Sequence, residues 1–231
     1  MEDGGTSVAQ AWRPQRFGHL RAGAIDDPII EPLWGGDRTL VIVAAPGERP
    51  RFIDEDGDPL EDPLLEPIVA DLTTSLRADS VVLDGYLTRQ PNVDPGLASK
   101  MGPSIPTHGQ VLAALFLGSS GTKVAKAIDR TENAPEIDPD LPLTFVAVDL
   151  LAIDDQPLLD VPLLERKRIL ETAFEEADLV RRSAFIRPPI GTFLVCWRAF
   201  GFVEIAYKSA NSRYTPGQPN PGWAVATIPT R

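Results

Sequence analysis

Six runs rich in β-branched and aromatic residues recur along the chain, and helical patterns do not fall regularly between them. That spacing limits the fold more than any other feature. The runs lie at 38–43, 51–53, 80–83, 143–151, 203–207 and 223–228. Turn residues bound several of them, among them Pro46-Gly47 and Asp154-Asp155. Helical periodicity appears at 67–76, where Ile68, Val69, Leu72 and Leu76 share a face, at 110–117, at 162–177 and at 191–200. In 162–177 the pattern predicts Leu163, Leu164, Ile169, Leu170 and Phe174 inward, and Glu165, Arg166, Lys167, Arg168 and Glu171 outward. Strands and helices mixed in this order, without βαβ alternation, predict an α+β fold with largely antiparallel sheets flanked by helices. Residues 1–27, rich in glycine and charge, read as a loosely ordered arm. Residues 28–231 read as one domain, with 90–142 partly an insertion or linker rich in proline and acid.

Composition narrows the function classes. The chain has 231 residues, 43% of them hydrophobic and 24% charged, as expected of a folded globular protein. No apolar run approaches the roughly 20 residues of a membrane span. The polar start, Met1-Glu2-Asp3, has no basic and apolar leader pattern. The single cysteine, Cys196, lies in an apolar run at 193–197 and reads as a core side chain, fitting a reducing cytoplasm. His19 and His108 have no second ligand at metal-site spacing, so no zinc site is expected. The turn Asp54-Glu55-Asp56-Gly57-Asp58 has its glycine misplaced for a calcium loop and reads as an acidic turn. Gly118 to Lys123 lacks phosphate-loop spacing and reads as a helix-terminating turn. A net charge of -11 disfavours DNA, whose affinity for proteins comes largely from cations neutralising phosphates. Arg181, Arg182 and Arg187 are either a local basic patch or a solvated charged turn.

Three ordered stretches carry a resemblance. Phe145 to Lys167 contains Val148-Asp149-Leu150-Leu151 and Pro162-Leu163-Leu164-Glu165-Arg166-Lys167. Upstream stands Val81-Val82-Leu83-Asp84-Gly85-Tyr86-Leu87. Downstream come Ile205-Ala206-Tyr207-Lys208-Ser209, then Ser212-Arg213-Tyr214-Thr215-Pro216-Gly217 and Trp223. Together, over residues 29–228, they resemble the nucleotidyltransferase (adenylation) domain of ATP-dependent DNA ligases, which has an ATP-grasp-like fold. In that family a lysine amine attacks the α-phosphorus of ATP and later passes AMP to a DNA 5′-phosphate. The amine must be deprotonated to attack, and cations with a divalent metal must neutralise the phosphates.

The resemblance places the nucleophile motif on Glu31-Pro32-Leu33-Trp34-Gly35-Gly36-Asp37-Arg38. Glu31, Gly36 and Arg38 match, but the lysine is Leu33 and the aspartate Gly35. The family's Ser-Arg-x-Gly falls near Asp54-Glu55-Asp56-Gly57, which reverses the sign of charge where a phosphate-facing arginine is expected. The family's glutamate after Asp84-Gly85 is Tyr86, and the adenine-stacking aromatic is Val148, with Phe145 close by. The metal-supporting Glu-Gly pair is Val203-Glu204, and the two lysines after Trp223 are Val225 and Thr227. Five lysines are present in all. Lys208 is the one expected in the cleft, and Lys167 is expected on the solvated face of its helix. The chain runs out at Arg231 just past the last motif, so a degenerate member without the OB-fold domain is expected.

A catalytically inactive ligase homologue is therefore the expected identity, a binding or regulatory module in DNA repair or recombination with a protein as partner. Candidate nucleotide-binding residues are Glu31, Gly36, Arg38, Asp84, Asp149 and Lys208; no catalytic or metal-ligating residue is assigned. ATP or AMP is the implied ligand, with weak affinity, because an unneutralised phosphate pays a desolvation cost. The alternative is an active ligase or other nucleotidyltransferase with a displaced lysine, which would also require magnesium. A DNA-end-binding accessory is a third class, resting on family association alone.

Overall fold

The computed structural model describes residues 12–90 and 139–229. The expected helix at 110–117, the turn from Gly118 to Lys123 and most of the 90–142 insertion lie outside the described residues, as does the side chain of Cys196.

Among the described residues, twelve strands and three α-helices follow in chain order. The strands are β1 (Arg16–Phe17), β2 (Pro28–Pro32), β3 (Asp37–Val43), β4 (Arg51–Ile53), β5 (Pro59–Leu60), β6 (Val81–Thr88), β7 (Thr144–Ile153), β8 (Gln156–Pro157), β9 (Val180–Arg182), β10 (Glu204–Ser209), β11 (Pro219–Asn220) and β12 (Trp223–Thr227). The helices are α1 (Glu66–Ser75), α2 (Leu163–Ala173) and α3 (Gly191–Ala199). A seven-stranded sheet runs β5-β4-β3-β6-β7-β8, with β9 beside β7. Every pairing in it is antiparallel except β7 with β9. A second sheet, β12-β10-β2, is antiparallel throughout. The predicted α+β class with antiparallel sheets is what the chain adopts.

Alternation along the strands divides the interior. In β3, Val41 and Val43 face a core shared with α1 (Ile68, Leu72) and α2 (Leu170, Ala173). Leu40 and Ile42 face the other side, against Ile29, Leu163, Tyr214 and Trp223. A third cluster joins Val146, Val148 and Tyr86 to Ile30, Ile205 and the α3 residue Trp197. The two sheets thus pack over a seam in which β2 and β10 oppose β6 and β7. Two irregularities interrupt the β6–β7 register, between Val82 and Leu83 and between Asp84 and Gly85, so that Leu151 and Val148 lack a partner across the ladder. They bracket Asp149-Leu150 and turn the strand locally, as bulges do.

Local chemistry explains most element ends. Asp154 and Asp155 both adopt positive φ, 46° and 61°, the conformation of a tight hairpin turn between β7 and β8. Asp62 accepts from the Leu64 amide (2.8 Å) at the entry to α1. Helix α2, predicted to reach 177, stops at Ala173. Phe174 is extended (φ −155°, ψ 160°) and bridges to Leu76, so a tertiary contact overrides the helical periodicity. Residues 12–27 are docked: β1 pairs in parallel with β11, and Trp12 and Ile25 are buried.

Among the described residues, no helix is long and apolar enough to cross a membrane.

Candidate functional site: a buried charge cluster at the sheet seam

Among the described residues, the seam between the sheets holds seven charged side chains. On neighbouring strands β6 and β7, Asp84 and Asp149 are register partners, both fully buried. Arg38 on β3 grips Asp84 from one side, with Nε–Oδ1 and Nη2–Oδ2 both 2.6 Å. Arg166 on α2 grips Asp149 from the other, at 2.8 and 2.7 Å, and its Nη1 donates to the Val161 carbonyl at 2.6 Å. Such two-pronged pairing satisfies both carboxylate oxygens and fits the planar guanidinium. Tyr214 donates its hydroxyl to Asp84 (2.8 Å) and accepts the Gln15 amide (2.7 Å), which ties the N-terminal segment to the cluster.

Glu31 on β2 is 1% exposed and lies between two ammonium groups. Lys167 Nζ is 2.6 Å from Oε1, an ion pair off the angle of a good hydrogen bond, and Lys208 Nζ donates to Oε2 at 3.2 Å. Lys208 also sits 4.3 Å above the Trp223 ring, a cation–π contact. Four cations thus face three carboxylates in the cluster. Burial pushes the Lys167 ammonium below its ordinary pKa; Glu31 opposes that fall and Lys208 adds to it. For Asp149 burial acts upward, but the charge and hydrogen bonds of Arg166, helped by Lys167 and Lys208, hold the carboxyl below its usual value. Burial, with Asp84 adjacent, raises the Tyr214 hydroxyl well above the ordinary tyrosine value, so it keeps its proton and donates.

Of the six residues singled out in the sequence, Glu31 and Lys208 meet, Arg38 and Asp84 meet, and Asp149 lies beside Asp84. Gly36 opens β3 with φ +114°, where a Cβ would stand 2.1 Å from the Leu87 carbonyl oxygen. Arg166, Lys167 and Tyr214 join the cluster although nothing in the sequence pattern marks them as site residues. Periodicity put Arg166 and Lys167 on the solvated face of α2, and that expectation is corrected here: both are buried. The face they occupy docks on carboxylates rather than on water, a distinction that hydropathy does not carry.

Leu33 follows β2, donates its amide to the Glu204 carbonyl (3.0 Å) and packs on the apolar cluster around Trp34 and Phe202. Trp34 is itself fixed by donation from Nε1 to Ser183 (2.9 Å). Val148 belongs to this cluster, whereas Phe145 lies in the core shared with α1 and α2, against Phe52. Arg181, Arg182 and Arg187 do not converge. Arg181 donates to the Asp178 carbonyl, Arg182 lies 3.8 Å from Glu176, and Arg187 pairs with Asp27 at 2.6 Å. The turn at 54–58 is organised by Asp54, whose Oδ1 accepts the amides of Asp56 and Asp58. Among the described residues, no group of three or more His, Cys, Asp or Glu could hold a metal ion.

Curled antiparallel sheets with few helices match the fold of DNA ligase adenylation domains. The ligase domain of M. tuberculosis LigD is 23% identical to this chain, with a TM-score of 0.58, over 92% of this chain and 58% of that one. A mycobacterial DNA ligase D complexed with ATP and MES is 22% identical, with a TM-score of 0.57 and the same coverage. The chain thus spans about 58% of the length of these structures. No family profile matches the sequence, and no curated protein does.

Proposed function

We propose that this chain is a ligase-fold binding or regulatory module of DNA repair or recombination that does not form a lysyl adenylate. The observation that carries the reading is the internal neutralisation of the seam. Lys167 and Lys208 are committed to Glu31, Arg166 to Asp149 and Arg38 to Asp84, at separations of 2.6–3.2 Å. A cation that neutralises a buried carboxylate is not available to a triphosphate without leaving that carboxylate exposed to a low-dielectric interior. Leu33, at the position matched to the family lysine, is aliphatic and cannot bond to phosphorus. The proposed partner is a protein and the proposed compartment the cytoplasm.

The test is incubation with ATP labelled at the α-phosphate and magnesium or manganese, followed by a denaturing gel. No covalently labelled band is expected. Calorimetry with ATP, AMP and NAD should find no binding tighter than about micromolar, roughly −8 kcal/mol.

One observation favours the second reading, an active enzyme with a displaced lysine. Burial depresses the pKa of Lys167, as a nucleophilic amine requires. Against this, Lys167 is 2% exposed and its ammonium is paired with Glu31. A labelled band that disappears in Lys167→Ala but persists in Lys208→Ala would establish that reading and remove the first.

A further inference from the structure

A groove of about 950 Å³ opens between the β4–β5 hairpin and the start of α1, and none of its lining residues belongs to the buried charge cluster. Leu60, partly exposed, supplies apolar surface over a floor of the buried residues Phe52, Leu65 and Val69. Three prolines, Pro50, Pro59 and Pro63, line it and stiffen its walls. β5 is the terminal strand of the seven-stranded sheet, so the hairpin presents an edge beside the groove.

The rim is acidic. The stretch 54–66 carries seven Asp and Glu and no Lys or Arg. Of the charges lining the groove, Arg49 and Glu66 pair with each other, which leaves Arg51 against Asp58, Glu61 and Asp62. We propose that this groove docks an extended, basic segment of a partner protein. Its alternate apolar side chains would enter the groove while its lysines or arginines meet Asp58 and Glu61. Extended peptides at a sheet edge place successive side chains on opposite sides, which suits a surface apolar within and acidic at the margin. Charge complementarity selects this occupant over an acidic peptide or a second copy of this acidic chain. The inference rests on residues other than those of the seam, so it stands or falls independently of the adenylation result.

The test uses the full chain and a fluorescent peptide of about eight residues alternating Lys and Leu, an extended-strand pattern, with a Glu/Leu peptide as comparison. Fluorescence anisotropy should show binding of the Lys/Leu peptide, weakened by salt, and binding of the Glu/Leu peptide at least about tenfold weaker. Asp58→Lys with Glu61→Lys, both at exposed positions, should weaken the basic peptide by about tenfold or more. Asp26→Lys with Glu171→Lys changes net charge equally at exposed sites outside the groove and should leave affinity within about twofold. Leu60→Ser should weaken binding without altering charge. Equal loss in both charge-reversed pairs would mean diffuse attraction to an acidic protein and would overturn the proposal. So would equal binding of the two peptides, or sedimentation showing a dimer that Leu60→Ser dissociates.

Discussion

Glu31 illustrates how much a single side chain settles in this molecule. It reaches from β2 to ammonium groups supplied by α2 and β10, so three elements meet at one carboxylate. Glu31→Gln keeps the volume but leaves two buried cations without a counter-charge. It should destabilise the fold by about 3–5 kcal/mol, the usual cost of breaking a buried pair from one side. A shift in the urea midpoint with an unchanged slope would register this. Asp149→Asn should cost a similar amount, because Arg166 would keep its charge and lose its partner. Replacing both, Asp149→Leu with Arg166→Met, should cost clearly less than the sum of the single changes, and a double-mutant cycle measures the difference. The carboxylates of this site were legible in the sequence through the ligase-like motifs that carry Glu31, Asp84 and Asp149. Their partners were less so. Arg166 and Lys167 look like ordinary surface residues until the helix is seen to lie on those acids.

At the scale of elements, long strands such as β3, β6 and β7 were readable because alternation and β-branching persist over many residues. The two-residue strands β1, β5, β8 and β11 were not, since so short a segment has no period and pairs only because its neighbours hold it there. β2 was also missed: its two prolines argue against a strand, yet it pairs with β10 at the margin of its sheet. The bulges around Asp149 had no local signal, being a property of how two strands fit. Close backbone approach predicts two sensitive glycines. At Gly36 positive φ combines with the nearby Leu87 carbonyl, and at Gly85 a Cβ would come within 2.4 Å of the Val146 carbonyl oxygen and 2.6 Å of the Phe145 ring. Gly36→Ala and Gly85→Ala should each cost at least about 1–3 kcal/mol by strain alone, read as a lowered melting temperature. Gly47→Ala, with φ +74° but nothing within 4 Å, should fall at the mild end.

Over the whole molecule, the charge at the seam couples stability to pH. The Asp149 carboxyl is held below its ordinary pKa when folded, so the unfolded chain binds its proton first as pH falls. Its stabilisation is fully present above the unfolded value of about 4 and is lost as pH drops through the lower folded value. Urea titrations from pH 7 down to about 2 should show stability falling below about pH 4, with a shallower fall in the Asp149→Leu, Arg166→Met protein, whose seam has no such carboxylate. The exterior poses a separate constraint: a chain of net charge -11 gains nothing from bulk attraction to a polyanion, so any contact with nucleic acid must come from a local surface or through a partner. The facing acids on β6 and β7 carry a consequence for assembly. Alone, these two strands would repel where they should zip, since like charges on opposing rungs disfavour pairing. Closure of this long ladder therefore depends on guanidinium groups that β3 and α2 bring from well-separated parts of the sequence, so the two central strands are held together by elements outside their own pairing.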